Sequence, residues 1–463
     1  MKILLNFEPV GIPDMFLNSL SLYKNFCENT YSYILENNDC KSLISERVKY
    51  QAKAENYELK NYICIDDREY CEAFENDKFS LLKMTELFYT GNIDHHILTN
   101  LDKLYKHHFN NWEPDIILSF EFHNKIFDSL FPNSLQIVYS GGIFKKGILP
   151  PTITLDVIGS GVNPFYNHYM DVISNLKISP RDNQILENLK QNITDLLTIN
   201  NPIKDIIKDY KNKFDYLLLF PCQFNAHYSV DTETEFKSQV EIVSYILSKI
   251  PSNVGLIVTE HQHYPFINEG VYEKGGFYKW LKNKYENFIY IEDLKNYPTS
   301  SLWLIPYIDG VVNVSSSVGL LSILFDKKVF DLGKHFNLLF RDTIGIDNVI
   351  KTLKVKNKNR NPFLWWLLTR YNFYHFQYQD KAWLNNFLNK ALCKYKQNGI
   401  NEQFYEENIT MDEVSEYILN FLKSELELLN NSTNIEQAEV KPNNNTHMVF
   451  NILGIKIKFR RRI

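Results

Sequence analysis

A chain of 463 residues has room for roughly two or three domains, and 44% hydrophobic residues supply ordinary cores. A net charge of −5 excludes nucleic-acid binding by overall charge. Six cysteines, with no CxxC pair and no Cys/His zinc spacing, argue against a disulfide scaffold or a zinc module and suit a reducing compartment.

The first residues, "MKILLNFEPVGIPD", carry one lysine and only a brief apolar run before Glu8, too little for a signal peptide. No stretch reaches the ~20 apolar residues of a membrane span, so a cytoplasmic protein is expected. Strands are predicted at 2–7, 61–66, 115–120 and 135–140, with a helical region at 80–107, giving an α/β domain over 1–200. Its last part, 176–213, is polar and contains Pro180 and Pro202; it reads as a helical connector. The clearest pattern follows. Apolar runs at 215–220, 254–260, 287–292, 310–314 and 328–332 alternate with helical patterns at 234–249, 274–284, 299–306 and 317–325. Continuous apolar strands between helices mean a parallel sheet covered on both faces, hence a second doubly wound α/β domain at 201–345. Residues 346–430 turn helical, including "NPFLWWLLTRYNFYHF" at 361–376. The stretch 430–447 is polar and reads as disordered, and 431–463 as a whole is a polar linker with a basic tail.

Ligands of open α/β sheets bind beyond the carboxyl ends of the strands, so the polar residues that follow each strand carry the weight. Ser315, Ser316 and Ser317 lie between a strand and a helix in "NVSSSVGL". Amides and hydroxyls at a helix start bind phosphate well; one serine suffices as a cap, and three in a row favour phosphate. His261 and His263 follow the strand 254–259 in "TEHQHYP"; their spacing is not that of a helical metal pair. Gln223 follows the strand 215–220, in "FPCQFNAHYSVD". In the first domain, Glu8 and Glu121 each follow a strand and are candidate proton acceptors, with a solvated loop residue as the bland alternative. The stretch "YSGGIFKKGILPPTITLDVIGSG", which holds Asp156, reads as a cleft-lining loop, with an irregular surface crossing as its bland alternative.

Taken in order, "FPCQ…D", "EHQHYP" and "NVSSSVGL…KKVFDLG" resemble the C-terminal half of bacterial capsule polysaccharide transferases of the Kdo-transferase type, over roughly 135–335. That group reads "PLQ…D", "K-E-H-P" and "N-S-S/T-V-G…G-K-P-V…G". The histidine–proline and serine motifs are also similar to those of bacterial sialyltransferases that use CMP-sugars. Departures are "HQHYP" for the histidine–proline pair and Asp326-Lys327-Lys328 for the "GKP". The resemblance implies a GT-B fold, two Rossmann-like domains facing a cleft, with an N-terminal acceptor domain and a C-terminal nucleotide-sugar donor domain. It implies that His261 or His263, with Ser315, Ser316 and Ser317, holds the nucleotide phosphate, that Gln223 lines the donor site, and that Glu121, Asp156 or Glu8 is the acceptor-side carboxylate.

The expected function is therefore a glycosyltransferase of surface polysaccharide assembly with a CMP-activated acidic sugar such as Kdo as donor and a glycan or lipid-linked acceptor. No cofactor and no metal are expected, since protein donors can neutralise the leaving phosphate and no convincing DxD is present. An NDP-sugar transferase, a sugar epimerase or phospho-group transferase on the same fold, and a non-catalytic scaffold are the alternatives. The tail "NILGIKIKFRRRI" interleaves Lys456, Lys458, Arg460, Arg461 and Arg462 with apolar residues, which suits peripheral contact with an anionic inner-membrane surface.

Overall fold

The structure is a computed structural model. It describes residues 1–7, 32–54, 56, 59–75, 81–120, 122–144, 147–159, 163–223, 228–260, 276–292, 294, 299–438, 447–452 and 455–460.

The continuous apolar runs become buried strands. In the first domain these are β1 (Lys2–Asn6), β2 (Asp39–Ser45), β3 (Tyr62–Ile65), β4 (Ile116–Phe120), β5 (Leu135–Gly141) and β6 (Thr152–Asp156). Their spatial order is β6-β5-β4-β1-β2-β3, parallel except for β6. β4, "IILSF", is buried at every position, as a strand covered on both faces must be. The second sheet contains β7 (Tyr216–Pro221), β8 (Val254–Thr259), β9 (Phe288–Ile289), β10 (Gly310–Asn313), β11 (Lys328–Asp331) and β12 (Thr343–Ile344) in the order β12-β11-β10-β7-β8-β9, all parallel. The expected fold class, two Rossmann-like α/β domains, is what the chain forms.

Between the sheets run the connector helices Pro180–Ile199 and Lys204–Lys213. Ser179 caps the first, its hydroxyl accepting from the Asp182 amide, and Pro180 takes the first turn, where its missing N–H costs nothing.

The region after 345 departs from a purely helical extension. Helix Asn361–Trp366 passes into a π-helical turn, Leu367–Tyr371, and then into β13 (Asn372–Tyr374), which pairs antiparallel with β6. The last strand of the first sheet thus comes from beyond the second domain. "FLWWLL" is buried, as Phe363, Leu364, Trp365, Trp366, Leu367 and Leu368 all lie in the core. Helix Met411–Ala438 lies against the connector helix, sharing one core through Val414, Ile418 and Leu422 with Leu186, Leu189 and Ile193. Of the stretch 430–447 expected to be disordered, residues 430–438 are helical and 439–446 lie outside the described residues. Residues 430–438 continue a helix whose earlier turns are already packed, and propagation adds one hydrogen bond per residue without a new nucleus. The core is continuous across the two domains: Leu118, Phe165, Leu217, Trp303, Phe340 and Trp366 belong to one buried cluster.

Candidate functional site

Each sheet has one point where the strand order reverses. In the second, β7 leads through β8 to β9 on one side, while β10, β11 and β12 extend on the other, so the reversal falls between β7 and β10. In the first it falls between β1 and β4. In open α/β sheets such a reversal is where ligands bind, beyond the carboxyl ends of the strands.

Of the residues singled out from the sequence, Gln223 and the three serines lie at the reversal in the second sheet. Gln223 follows β7 and Ser315 follows β10, and the Ser315 hydroxyl donates to Gln223 Oε1 at 2.9 Å. Two separate strand-following loops therefore meet through polar side chains across the reversal. The Gln223 amide N–H is anchored in turn on Gln239 Oε1 at 3.1 Å. Ser316 is an ordinary cap: its hydroxyl accepts from the Val318 amide at 3.3 Å. Ser317 opens a helix of only six residues, Ser317–Ser322. So short a helix contributes little dipole, and the hydroxyls, amides and Gln223 define the polar character here.

Below the turn lies a network that sequence reasoning missed. Asn313, wholly buried at the end of β10, accepts from the Ser316 amide at 3.2 Å and donates to the Ser316 carbonyl at 3.0 Å and to Asn337 Oδ1 at 2.8 Å. Asn337 donates to the Val314 carbonyl at 3.0 Å and to Asp331 Oδ1 at 2.6 Å. Asp331 also accepts from the Gly333 amide at 2.9 Å and from Arg341 at 3.0 Å. Burial pushes the Asp331 carboxyl above its usual range, against the pull of these donors. Gly319 packs directly on Asn313: a Cβ there would stand 2.3 Å from Asn313 Nδ2. The signal was in view as the asparagine heading "NVSSS"; its partner Asn337, and Asp331 that holds Asn337, are non-local.

Glu233 was likewise missed. Its buried carboxylate accepts from three successive amides, Lys334 at 2.9 Å, His335 at 2.7 Å and Phe336 at 3.2 Å. It ties the helix Tyr228–Glu233, which follows the Gln223 loop, to the turn after β11.

In the first sheet, β1 and β4 are joined at their carboxyl ends: Asn6 Nδ2 donates to Ser119 Oγ at 3.2 Å, and Phe7 stacks on Phe120 with centroids 4.5 Å apart. Glu8 and Glu121 come one residue after these two rings. They lie outside the described residues, as do His261 and His263 after β8.

Asp156 is described, and its place corrects the expectation of an acceptor-side base. It ends β6, is wholly buried, and both carboxylate oxygens are engaged. Oδ1 accepts from the Ile158 amide at 2.7 Å and the Gly159 amide at 2.9 Å; Oδ2 accepts from the Phe165 amide at 2.8 Å and from the Tyr371 hydroxyl. A group so enclosed holds Ile158, Gly159 and Phe165 together and is closed to a solvent-borne acceptor. Burial raises its carboxyl above the ordinary range, while the four donors pull it down. Among the described residues no cluster of three or more His, Cys, Asp or Glu could hold a metal ion, and no helix is long and apolar enough to cross a membrane.

Two Rossmann-like domains, with a C-terminal segment that returns to the first, define a GT-B-type architecture. No family model matches the chain, and no curated protein matches it. Among solved structures it is similar to the KpsC beta Kdo 2,7 transferase of Thermosulfurimonas dismutans, with 14% identity and a TM-score of 0.36 over 74% of this chain and 97% of that one. It is also similar to the UDP-GlcNAc 2-epimerase of Methanocaldococcus jannaschii, with 12% identity and a TM-score of 0.29 over 78% of this chain and 96% of that one. The lipopolysaccharide outer core galactosyltransferase WaaB shares 11% identity, with a TM-score of 0.32 over 86% of this chain and all (100%) of that one.

Proposed function

We propose that the chain is a glycosyltransferase of surface polysaccharide assembly that takes its sugar from a nucleotide donor. One observation carries the reading: Gln223 and Ser315 meet across the strand-order reversal of the second sheet. There, amides and hydroxyls can receive a nucleotide phosphate whose charge grows as the glycosidic bond to it breaks, and fixed donors lower that barrier. In this reading Ser315, Ser316, Ser317 and Gln223, with His261 or His263, bind the donor. Glu8 and Glu121, following the two strands that flank the first sheet's reversal, are the carboxylates that take the acceptor hydroxyl proton, a role worth about 10²–10⁴-fold in rate. Asp156 supports the loop instead of taking that proton. A CMP-activated acidic sugar of the Kdo type is the donor we favour, on the resemblance of the sequence motifs.

The test is a melting screen with CMP, UDP, GDP and ADP. A bound nucleotide stabilises by about 2.7 kcal/mol at a hundredfold excess over Kd, and the one that raises the melting temperature names the donor class. The double variant Ser315→Ala/Ser316→Ala is expected to fold and to lose most of that rise. An unchanged rise in the variant refutes the site.

The C-terminal segment supplies the acceptor's setting. β14 (His447–Ile452) and β15 (Ile455–Arg460) form an antiparallel hairpin in which Met448 pairs with Phe459, Phe450 with Ile457 and Ile452 with Ile455. In the sequence of this segment Ile452, Leu453, Ile455, Ile457 and Phe459 are interleaved with Lys456, Lys458, Arg460, Arg461 and Arg462. Such a hairpin suits an anionic membrane surface, with about 1 kcal/mol from each basic residue. The full chain is expected to co-sediment with vesicles containing phosphatidylglycerol, and less so in high salt. A chain lacking 447–463 is expected to stay in the supernatant. Equal sedimentation of both chains would rule out the tail as the anchor.

A further inference from the structure

The side chain of Asn167 ties the segment beneath the donor turn to the first domain. Asn167, 4% exposed, sits on the short helix Phe165–His168 of the first domain. Its Nδ2 donates to the His335 carbonyl at 2.6 Å and the Phe336 carbonyl at 3.2 Å, and its Oδ1 accepts from the Leu339 amide at 3.2 Å. Three hydrogen bonds thus hold the 335–339 segment that follows β11. The same segment carries Asn337, which holds Asn313, which in turn holds both the amide and the carbonyl of Ser316. It is also the segment whose amides clasp Glu233. On the first-domain side the helix bearing Asn167 is fixed by Asp156, which accepts from the Phe165 amide.

We infer that Asn167 and the 333–340 turn form a link between the two domains, through which nucleotide binding at the serine turn orders the Phe165–His168 helix of the first domain. From Asp156 to Ser316 the members are joined by hydrogen bonds and by the short backbone stretches 165–167 and 335–339. Asp156, Asn313 and Asn337 are wholly buried, and Asn167 nearly so. Polar groups so enclosed cannot exchange a protein partner for water without leaving a donor or acceptor bare, so a shift at one end must be met by the other or break the chain. The inference rests on the serine turn being the nucleotide site.

Amide hydrogen exchange on the full chain, with and without saturating CMP, UDP, GDP or ADP, tests it. With the nucleotide that binds, exchange is expected to slow by about fivefold or more at 313–319, at 335–341 and at 165–169, the lower end of ordinary site-to-site coupling. In Asn167→Ala the slowing at 313–319 persists and that at 165–169 disappears. Protection at 313–319 in the wild type without any change at 165–169 overturns the link and leaves the nucleotide site standing. If none of the four nucleotides protects 313–319, the site reading falls and the link falls with it. The wild-type comparison decides the matter even should Asn167→Ala fail to fold. Where it folds, retained protection at 165–169 also overturns the link.

Discussion

Replacing Asp156 with alanine is expected to cost the protein most of its stability. The substitution strands three backbone amides and the Tyr371 hydroxyl in a wholly buried place. Each orphaned donor costs about 1–3 kcal/mol, so the loss comes to about 4 kcal/mol or more. A domain's whole margin is about 5–15 kcal/mol. The urea midpoint should fall sharply. Asp156→Asn keeps the volume and one carbonyl oxygen, but turns an NH₂ group towards donors; an intermediate loss is expected. This pair of variants also separates two roles. A catalytic base changed to asparagine leaves a stable, slow enzyme, whereas the buried anchor described here loses its midpoint first. A normal midpoint in both variants would overturn the structural role.

Gly319→Ala is the second large effect, and its sign opposes simple propensity. Alanine in place of glycine inside a helix normally stabilises by about 1 kcal/mol. Here the new Cβ would lie 2.3 Å from Nδ2 and 2.7 Å from Cγ of Asn313. Asn313 cannot swing aside, because Ser316 and Asn337 hold both ends of its amide. Overpacking costs about 1–3 kcal/mol, and each buried hydrogen bond broken to relieve it about 1–3 kcal/mol more. The steric terms win. The expected outcome is a lower urea midpoint together with loss of nucleotide-dependent stabilisation. A variant that melts like the wild type and still responds to nucleotide would show that the turn tolerates movement.

How far the sequence foretells this structure depends on where each signal resides. β1, β4, β5, β7, β8, β10 and β11 are legible because strands buried on both faces must be apolar throughout. β2, "DCKSLIS", hides behind Asp39, Lys41 and Ser42. β6, "TITLD", follows two prolines and reads as an irregular crossing. β13 is only three residues long and continues an apolar helical run; its pairing with β6 joins positions more than two hundred residues apart, which no local pattern carries. The site behaves similarly. Gln223 and Ser315 stand out individually because polar residues after apolar strands are conspicuous. Their contact depends on strand order, which is a property of the whole sheet. Asp156 misleads because a carboxylate after an apolar run looks the same whether it meets solvent or is enclosed by amides.

The origin of β13 has a consequence for biogenesis. The second domain is topologically a guest within the first: the chain departs along the connector helices and comes home only at Asn361–Tyr374. On the ribosome, domains generally mature in the order in which they emerge. Here the domain that begins first finishes last, since the outer rim of its sheet stays open beside β6 until residue 374 has been made. A nascent chain that has released residues up to about 355 but not Asn361–Tyr374 would hold a second domain, whose core extends through Ile346 and Val349, next to a first whose raw strand margin invites pairing with a neighbouring polypeptide.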